Sequence, residues 1–294
     1  MIVETHDPGR DAVREAVERY AERYPDFADA LRLYGAIMEV QQAALDSVEC
    51  NIEPLDEIDI ESRLLTGEPL LDPCDVEIDP VRYRELVSDI CSAISENSPG
   101  GIPFKSHPAS WPCLSDDALP GTRDALIKGG DLDFGPDDKL SDADAELAKN
   151  ILWEGLAPFY RKCGSILTTK LEQSLWQRGF CPACGGAPLM GQYRTGDGLW
   201  VVECVLCHTG WNVQRASCPF CDELQGSLDY LYLEEDPSRR ANYCKACKRY
   251  VKTVDMRNSE EVVLLPLEDI VTLSLDVAAN EERLTSASGR YKTP

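Results

Sequence analysis

Apolar side chains recur at three- and four-residue spacing along much of the first 178 residues, as they do on one face of an α-helix. This pattern predicts helices over residues 11–24, 26–48, 80–94, 142–163 and 166–176. Pro80 suits the first turn of a helix, whereas Pro158 predicts a kink. The stretches 49–79 and 97–140 are rich in proline, glycine or acidic residues and predict irregular connections. Residues 1–178 are therefore expected to form a helical domain.

The pattern changes after Phe180. Short runs rich in Val, Trp and Tyr, namely LWVVEC, LDYLYLEE and YVKTVDM, alternate with cysteine-containing turns and predict short strands. After Pro266, helical spacing returns and predicts one final helix, followed by a loose tail from residue 286. The chain is thus predicted to be α+β. The helical N-terminal domain precedes two tandem strand-rich modules over residues 179–215 and 216–258, and residues 259–294 hold the last helix and tail.

Eight of the 13 cysteines form four CxxC pairs in this strand-rich part of the chain. The pairs are Cys181/Cys184, Cys204/Cys207, Cys218/Cys221 and Cys244/Cys247. Two residues between cysteines let the chain fold over a metal ion, and two facing turns complete a tetrahedral site. The gaps between pairs are 19, 10 and 22 residues, and each long gap can hold a strand excursion. The spacing therefore favours one site from the first two pairs and another from the last two, with interleaved pairing as the alternative.

Four thiolates around a divalent ion leave a charge of about −2, which N–H···S hydrogen bonds and nearby cations must offset. Gly185 and Gly186 permit close approach of backbone amides at the first turn. Cations that could serve the second site are Lys245, Lys248, Arg249 and Lys252. All-sulfur sites suit iron or zinc, and the ligands do not decide between them. His208 could replace a cysteine, but a histidine beside a ribbon strand is expected to be exposed instead.

Disulfides and thiol-redox catalysis are the alternatives to metal binding. A thioredoxin-type CxxC lies between a strand and a helix, and none of the four pairs is predicted to do so. The other five cysteines are expected to be structural: Cys50, Cys74, Cys91, Cys113 and Cys163. Cys91 falls on the apolar face of a predicted helix, where a thiol acts as a small buried hydrophobe. The crowded CxxC pattern and the odd cysteine count favour a reducing compartment.

The chain begins without a basic segment followed by an apolar run, so we expect no secretory signal. It also has no stretch near the roughly 18 apolar residues of a membrane span, and a cytoplasmic protein without a membrane partner is expected. The net charge of −23 divides into −19 for residues 1–178, zero for 179–258 and −4 for 259–294. Such an acidic chain repels phosphate backbones, so a nucleic-acid partner is not expected.

The cysteine-rich region resembles a known family, the FdhE-type formate dehydrogenase accessory proteins. The matching segments are RGFCPACGGAP (178–188), GLWVVECVLCHTGWNVQRASCPFC (198–221), NYCKACKRYVKTVD (242–255) and LEDIVTLSLDVAA (267–279). The likeness is weaker before Arg178. This chain has Glu268 and Asp269 where such proteins tend to have two aspartates, and it ends in RYKTP instead of an asparagine-proline-aromatic motif.

The resemblance implies that the two modules are rubredoxin-like ribbons and that the eight paired cysteines bind two ions, iron or zinc, one per four-cysteine site. It also implies that the protein assists assembly of molybdenum- or tungsten-containing formate dehydrogenase by contacting the catalytic subunit. Oligomeric state is not indicated.

Motifs for hydrolysis or hydride transfer are missing from the sequence. It contains no GxSxG, phosphate loop or dinucleotide fingerprint, and its three histidines are His6, His107 and His208. We therefore expect a metal-binding maturation factor or chaperone, not an enzyme. One alternative is a rubredoxin-like electron carrier, because iron in an all-cysteine site can change oxidation state. A less favoured alternative is a nucleic-acid-binding zinc ribbon, suggested by basic and aromatic residues interleaved in the second module.

Overall fold

The computed structural model describes residues 8–52, 55–98, 101–102, 104, 107–135, 140–171, 175–214, 217–234 and 236–288. The chain forms two compact units. Within the described ranges, the helical unit comprises residues 8–52 and 72–163, and the sheet unit comprises residues 55–71 and 164–288. None of the described helices is long and apolar enough to cross a membrane.

The helical unit contains the long helices that the apolar spacing predicted. They are α1 (Arg10–Arg23), α2 (Ala28–Ala44), α4 (Pro80–Asn97) and most of α6 (Asp142–Thr168). Two further helices are α3 (Glu57–Thr66), which belongs to the sheet unit, and α5 (Leu119–Lys128), which belongs to the helical unit. Buried Tyr83 donates its hydroxyl to the Leu152 carbonyl at 2.7 Å, and its ring meets Phe159 edge to face. Pro80 begins α4 as predicted, with Asp79 accepting a hydrogen bond from the Arg82 backbone N–H.

Two helices lie where irregular connections were predicted, so that prediction was wrong at both places. In α3, the Asp56 carboxylate accepts from the Asp59 N–H, and Gly67 ends the helix at φ 81°. Helix α5 ends in the same way at Gly129, with φ 82°. Each has ten residues, too few to display a full amphipathic pattern. The predicted helix over residues 166–176 ends earlier than expected, because α6 ends at Thr168 and residues 169–171 are not helical, while residues 172–174 lie outside the described residues.

A disulfide joins Cys50 to Cys163 within the helical unit. This bond was not predicted, because its cysteines are 113 residues apart in the chain and neither belongs to a motif, and it departs from the free thiols expected in a reducing compartment. Cys91 is buried in α4 as expected, and burial raises the pKa of its thiol to about 12. Cys113 is also buried, and burial likewise raises its pKa to about 12.

Replacing Cys50 with serine is expected to lower the free energy of unfolding of the helical unit by about 2–4 kcal/mol, because the disulfide closes a long loop in the unfolded chain. Urea unfolding of the oxidised protein, followed by helical circular dichroism, measures the change. As a control, Cys74→Ser alters a thiol outside any described disulfide and should shift the free energy by less than about 1 kcal/mol. An unchanged midpoint after reduction of the unaltered protein would contradict the expectation.

The sheet unit is built on one seven-stranded sheet. Its strands are β1 (Pro188–Tyr193), β2 (Trp200–Cys204), β3 (Gly210–Val213), β4 (Leu228–Leu233), β5 (Asp236–Cys244), β6 (Arg249–Asp255) and β7 (Thr285–Ser286). The order is β3-β2-β1-β6-β5-β4, and β7 pairs with β6. Parallel pairing of β1 with β6 joins the strands of the first module to those of the second. The two predicted ribbons are therefore halves of a single sheet.

Two short helices, α7 (Leu265–Val271) and α8 (Leu273–Glu281), replace the single final helix that was predicted. Thr272 separates them, with φ −106° and ψ 19°, and its hydroxyl donates to the Glu268 carbonyl at 2.6 Å. Both helices pack on the sheet. The buried clusters that they share with the strands are Met190, Val254, Met256 and Leu265, and Ala241, Tyr250, Ala279 and Leu284. The part of the predicted tail from residue 289 to residue 294 lies outside the described residues.

Buried ion pairs connect the same helices to the strands. The Arg239 guanidinium donates two hydrogen bonds of 2.7 Å to the Glu268 carboxylate, which is 0% exposed. Lys252, 4% exposed, lies 2.9 Å from the Asp269 carboxylate and 2.6 Å from that of Asp276. Burial raises the pKa of Asp269, against the opposing effect of Lys252. The suggestion that Lys252 offsets charge at the second cysteine site was therefore wrong, because carboxylates on α7 and α8 already surround it.

Candidate metal centres

The eight paired cysteines converge as two groups of four. The first cluster contains Cys181, Cys184, Cys204 and Cys207, and the second contains Cys218, Cys221, Cys244 and Cys247. Within each cluster the Sγ atoms all lie within 4.8 Å of one another. This is the pairing that the gap lengths favoured, and the interleaved alternative is not what the structure shows.

The sulfur spacing fits a tetrahedral ion in each cluster. The Sγ atoms of Cys184 and Cys207 are 3.4 Å apart, and those of Cys218 and Cys247 are 3.8 Å apart. A disulfide would bring two sulfurs to about 2.05 Å, so these cysteines are not bonded to each other. Four sulfurs placed about 2.3 Å from one ion at the corners of a tetrahedron would be about 3.8 Å apart. Each cluster therefore has the size and donor set of a four-thiolate metal site.

Every CxxC turn closes by the same backbone hydrogen bond. The residue after the second cysteine adopts a left-handed conformation and donates its N–H to the carbonyl of the first cysteine, at 2.8 to 3.2 Å. These residues are Gly185, His208, Asp222 and Lys248, with φ of 74°, 54°, 58° and 63°. A left-handed conformation costs a non-glycine residue about 1–2 kcal/mol. Three of the four turns bear this cost, so the cysteine geometry is maintained against local backbone preference.

Gly186 leaves room for two sulfurs of the first cluster. A Cβ atom at this position would lie 2.7 Å from the Cys204 Sγ and 3.3 Å from the Cys184 Sγ. The first of these distances is shorter than real Cβ contacts allow, so a side chain would displace the sulfur. Gly186 was expected to permit close approach of a backbone amide, and the close approach that the structure shows there is that of two ligand sulfurs.

Gly186→Ala is expected to reduce the bound metal from two ions per chain to one, because the added methyl group moves Cys204 out of the first cluster. Elemental analysis of protein purified without oxygen measures this content. The matched control is Gly226→Ala, since a Cβ there has no heavy atom within 4 Å. Two ions retained by Gly186→Ala would show that the first cluster does not bind metal as its geometry suggests.

Burial raises the pKa of the Cys181 thiol well above its usual range. A buried cluster of this kind favours neutral thiols unless a cation compensates the thiolates. Hydrogen bonds provide part of that compensation, since the N–H groups of Leu206 and Cys207 donate to the Cys204 Sγ at 3.4 and 3.5 Å. The Thr209 hydroxyl lies 3.2 Å from the Cys207 Sγ. The first cluster can therefore stabilise thiolates that a metal ion neutralises.

Residues distant in sequence cover the first cluster. The backbone N–H groups of Leu70 and Leu71 donate to the carbonyls of Pro182 and Ala183, inside the first CxxC turn, at 3.0 and 2.9 Å. Both leucines are buried. This segment was predicted to be an irregular connection, and its contact with the cluster was not predicted, because a leucine pair beside a proline carries no signal of such a contact.

The last turns of α6 cover the second CxxC turn of the same cluster. A Cβ at Gly164 would lie 2.9 Å from both the Cys207 carbonyl oxygen and the Thr209 hydroxyl. Thr168, one turn further, places its hydroxyl 3.5 Å from that of Thr209. As a result the four cysteines of the first cluster are at most 2% exposed.

The second cluster is open on one side. Cys218 and Cys244 are buried, Cys247 is half-buried and Cys221 is exposed. The Phe220 N–H donates to the Cys218 Sγ at 3.4 Å, and the Ser227 hydroxyl lies 3.5 Å from the Cys244 Sγ. Beside it lies a pocket of about 300 Å³, whose lining includes Cys218, Cys244, Phe220, Leu228, Tyr230, Tyr243 and Arg249.

Among the described residues, neither cluster includes a histidine or a carboxylate as a fifth ligand. His208 pairs through Nδ1 with Glu203 at 2.9 Å, and it is partly exposed. Lys245 pairs with Asp229 at 2.8 Å, while the Arg249 guanidinium lies over the Phe220 ring at 5.7 Å. His6 lies outside the described residues.

Some known proteins match most of the chain, and others match about half of it. A protein named FdhE homolog from Aquifex aeolicus is 24% identical over 265 residues, covering 89% of this chain and 87% of the relative. An FdhE homolog from Pectobacterium carotovorum is 31% identical over 141 residues, 47% of this chain and less than half, 45%, of the relative. The crystal structure of the FdhE protein from Pseudomonas aeruginosa superposes with a TM-score of 0.61 at 23% identity, covering 98% of this chain and 96% of that one. That structural likeness shows the fold.

The fold and the cysteine geometry define a class of protein: an α+β chain with a helical N-terminal region and a sheet that carries two four-cysteine clusters. The family models described as "FdhE, central domain" and "FdhE, C-terminal domain" match residues 180–215 and 216–291. Together with the likeness to the Aquifex aeolicus relative, these two matches place the chain in the FdhE family. The boundary between the two matches falls between the two clusters.

Proposed function

We propose that this protein is a cytoplasmic, metal-binding accessory factor that assists maturation of formate dehydrogenase by contacting its catalytic subunit. Each four-cysteine cluster holds one iron or zinc ion. The observation that carries the proposal is the pair of clusters with tetrahedral sulfur spacing in a chain of the FdhE family. The protein acts as a binding factor and chaperone, and no catalytic step is assigned to it.

The chain's own residues have defined tasks in this role. The eight cysteines hold the ions as thiolates, and backbone N–H groups at the turns offset part of their charge. A bound ion supplies a cross-link between two turns that are distant in sequence. The resulting rigid sheet provides a surface for an immature subunit.

Capture of the formate dehydrogenase catalytic subunit tests the proposal. The tagged protein, loaded with metal, should retain the newly made subunit from a producing cell, and deletion of the gene should reduce the yield of active enzyme. The tag alone serves as the control. If neither metal-loaded nor metal-free protein retains the subunit, the maturation role is wrong.

Electron transfer is a second candidate, and the open second cluster favours it because an exposed sulfur gives an electron a short path to the metal. Anaerobically purified protein should then be coloured and contain iron that can be reduced and reoxidised. Colourless protein loaded with zinc would remove the basis for this candidate.

Nucleic-acid binding is not favoured by the structure. The basic residues of the second module that form ion pairs with carboxylates are Arg239, Arg240, Lys245, Lys252 and Arg257. Cations paired in this way have little positive potential left to attract phosphate groups.

A further inference from the structure

The two clusters differ in exposure although they have the same ligands. All residues from Cys181 to Gly186 are buried in the first turn of the first cluster. In the corresponding turn of the second cluster, Cys218 is buried but Cys221, Asp222 and Glu223 are exposed. An incoming ligand can therefore approach the second cluster without any movement of the chain, whereas the first cluster must open.

Two buried segments cover the first cluster and make exposure of its sulfurs energetically costly. Leu70 and Leu71 are hydrogen-bonded across one turn, and Gly164 of α6 is in close contact with another. Exposing these sulfurs requires the separation of buried segments that belong to the core of the sheet unit. At the second cluster, Cys221 has solvent on one side in the structure as it stands.

We propose that the second cluster is an exchanging metal site, which takes up and releases its ion through the open edge at Cys221, while the first cluster retains its ion. This inference rests on the proposed function, because it requires both clusters to hold metal. The exchange partner is a thiolate-bearing acceptor, either a protein segment or a small thiol.

The exchange is a ligand substitution without transfer of electrons. An incoming thiol would lose its proton and form a sulfur–metal bond, the bond from the Cys221 Sγ would break, and the released proton would pass to the freed Cys221 thiolate. Repetition at the remaining sulfurs transfers the ion. The exposed positive charges of Lys248 and Arg249, in the fourth CxxC turn, attract an anionic thiolate to this edge.

The pocket beside the cluster gives the acceptor a place to bind. Its volume is about 300 Å³, and its lining includes Cys218 and Cys244 together with Phe220, Tyr230 and Tyr243. An acceptor segment with an apolar side chain next to its cysteine would bury that side chain here. The donor sulfurs would then be adjacent to the acceptor sulfur.

Metal release from the full-length protein tests the proposal. Protein loaded with two zinc ions under anaerobic conditions is mixed with an excess of a coloured chelator. We expect two phases of equal amplitude, the first at least about tenfold faster than the second. Alkylation with N-ethylmaleimide after the first phase, followed by peptide mass spectrometry, should label Cys218, Cys221, Cys244 and Cys247 and leave the first cluster protected.

A pair of variants assigns each phase to a cluster. Gly186→Ala, which should lack the first ion, is expected to show the fast phase alone. Cys221→Ser, which lacks the exposed ligand, is expected to lose the fast phase and keep the slow one. A metal-free peptide with four cysteines should accept one ion per chain, and the same peptide with serines should accept none.

The outcomes separate this inference from the proposed function. A single release rate for both ions, or earlier labelling of the first cluster, overturns the inference and leaves metal binding intact. Failure of the purified protein to hold stoichiometric metal overturns both.

Discussion

Removal of both metal ions by a strong chelator is expected to unfold the sheet of the metal-loaded protein. A structural four-cysteine site contributes on the order of 10 kcal/mol of binding free energy, comparable with the whole stability of a domain. The helical unit contains none of the eight ligands and should keep its structure. Hydrogen exchange with mass spectrometry measures the effect: amides of β1, β2 and β6 should lose protection while those of α2 and α4 remain protected.

Restoration of the metal is the control for this experiment, since added zinc should recover protection in the strands. Persistence of the protected strands in metal-free protein would contradict the expectation. It would mean that buried contacts such as those of Leu265 and Leu284 with the sheet are sufficient to stabilise it.

Replacing Glu268 with alanine is expected to lower the free energy of unfolding of the sheet unit by about 3–5 kcal/mol. The substitution leaves the guanidinium of Arg239 buried without its two-hydrogen-bond partner, and an uncompensated buried charge is costly. Asp236, 2.5 Å from the same guanidinium, offsets part of that cost. Urea unfolding of the metal-loaded protein, followed by tryptophan fluorescence, provides the measurement.

An exposed pair in the same unit provides the comparison. Lys245→Ala breaks the pair between Lys245 and Asp229, whose side chains are 53% and 41% exposed, and it should leave the urea midpoint almost unchanged. A double substitution, Arg239→Met with Glu268→Leu, should recover most of the stability lost by Glu268→Ala, because no buried charge remains. Equal effects of Glu268→Ala and Lys245→Ala would show that the buried pair is not special.

Local sequence patterns predicted the cysteine clusters because a CxxC turn is defined by four adjacent residues. The cluster partners then followed from gap lengths long enough for a strand excursion between turns. The cover over the first cluster could not be predicted in this way, since Leu70 and Leu71 precede Cys181 by more than a hundred positions. Neither residue type nor spacing carries information about such a contact.

The same limit applies elsewhere in the fold. The long helices α1, α2 and α4 show several turns of apolar spacing, whereas α3 shows little more than its Asp56 cap and its terminal Gly67. The Cys50–Cys163 disulfide and the parallel pairing of β1 with β6 both join segments that are distant in sequence. Glu268 stands where FdhE-type proteins tend to have an aspartate. Because Glu268 is buried, this replacement changes the core of the sheet unit and not an exposed recognition surface.

The parallel pairing of Gly191–Tyr193 with Thr253–Asp255 joins the two ribbons, so cutting the chain between them would separate paired strands. A fragment cut between the two cysteine clusters would expose the edge of β1 that normally meets β6, and the complementary fragment would expose β6. Open strand edges of this kind recruit other chains and promote aggregation. We therefore expect that neither ribbon stays soluble and folded when it is excised from the other.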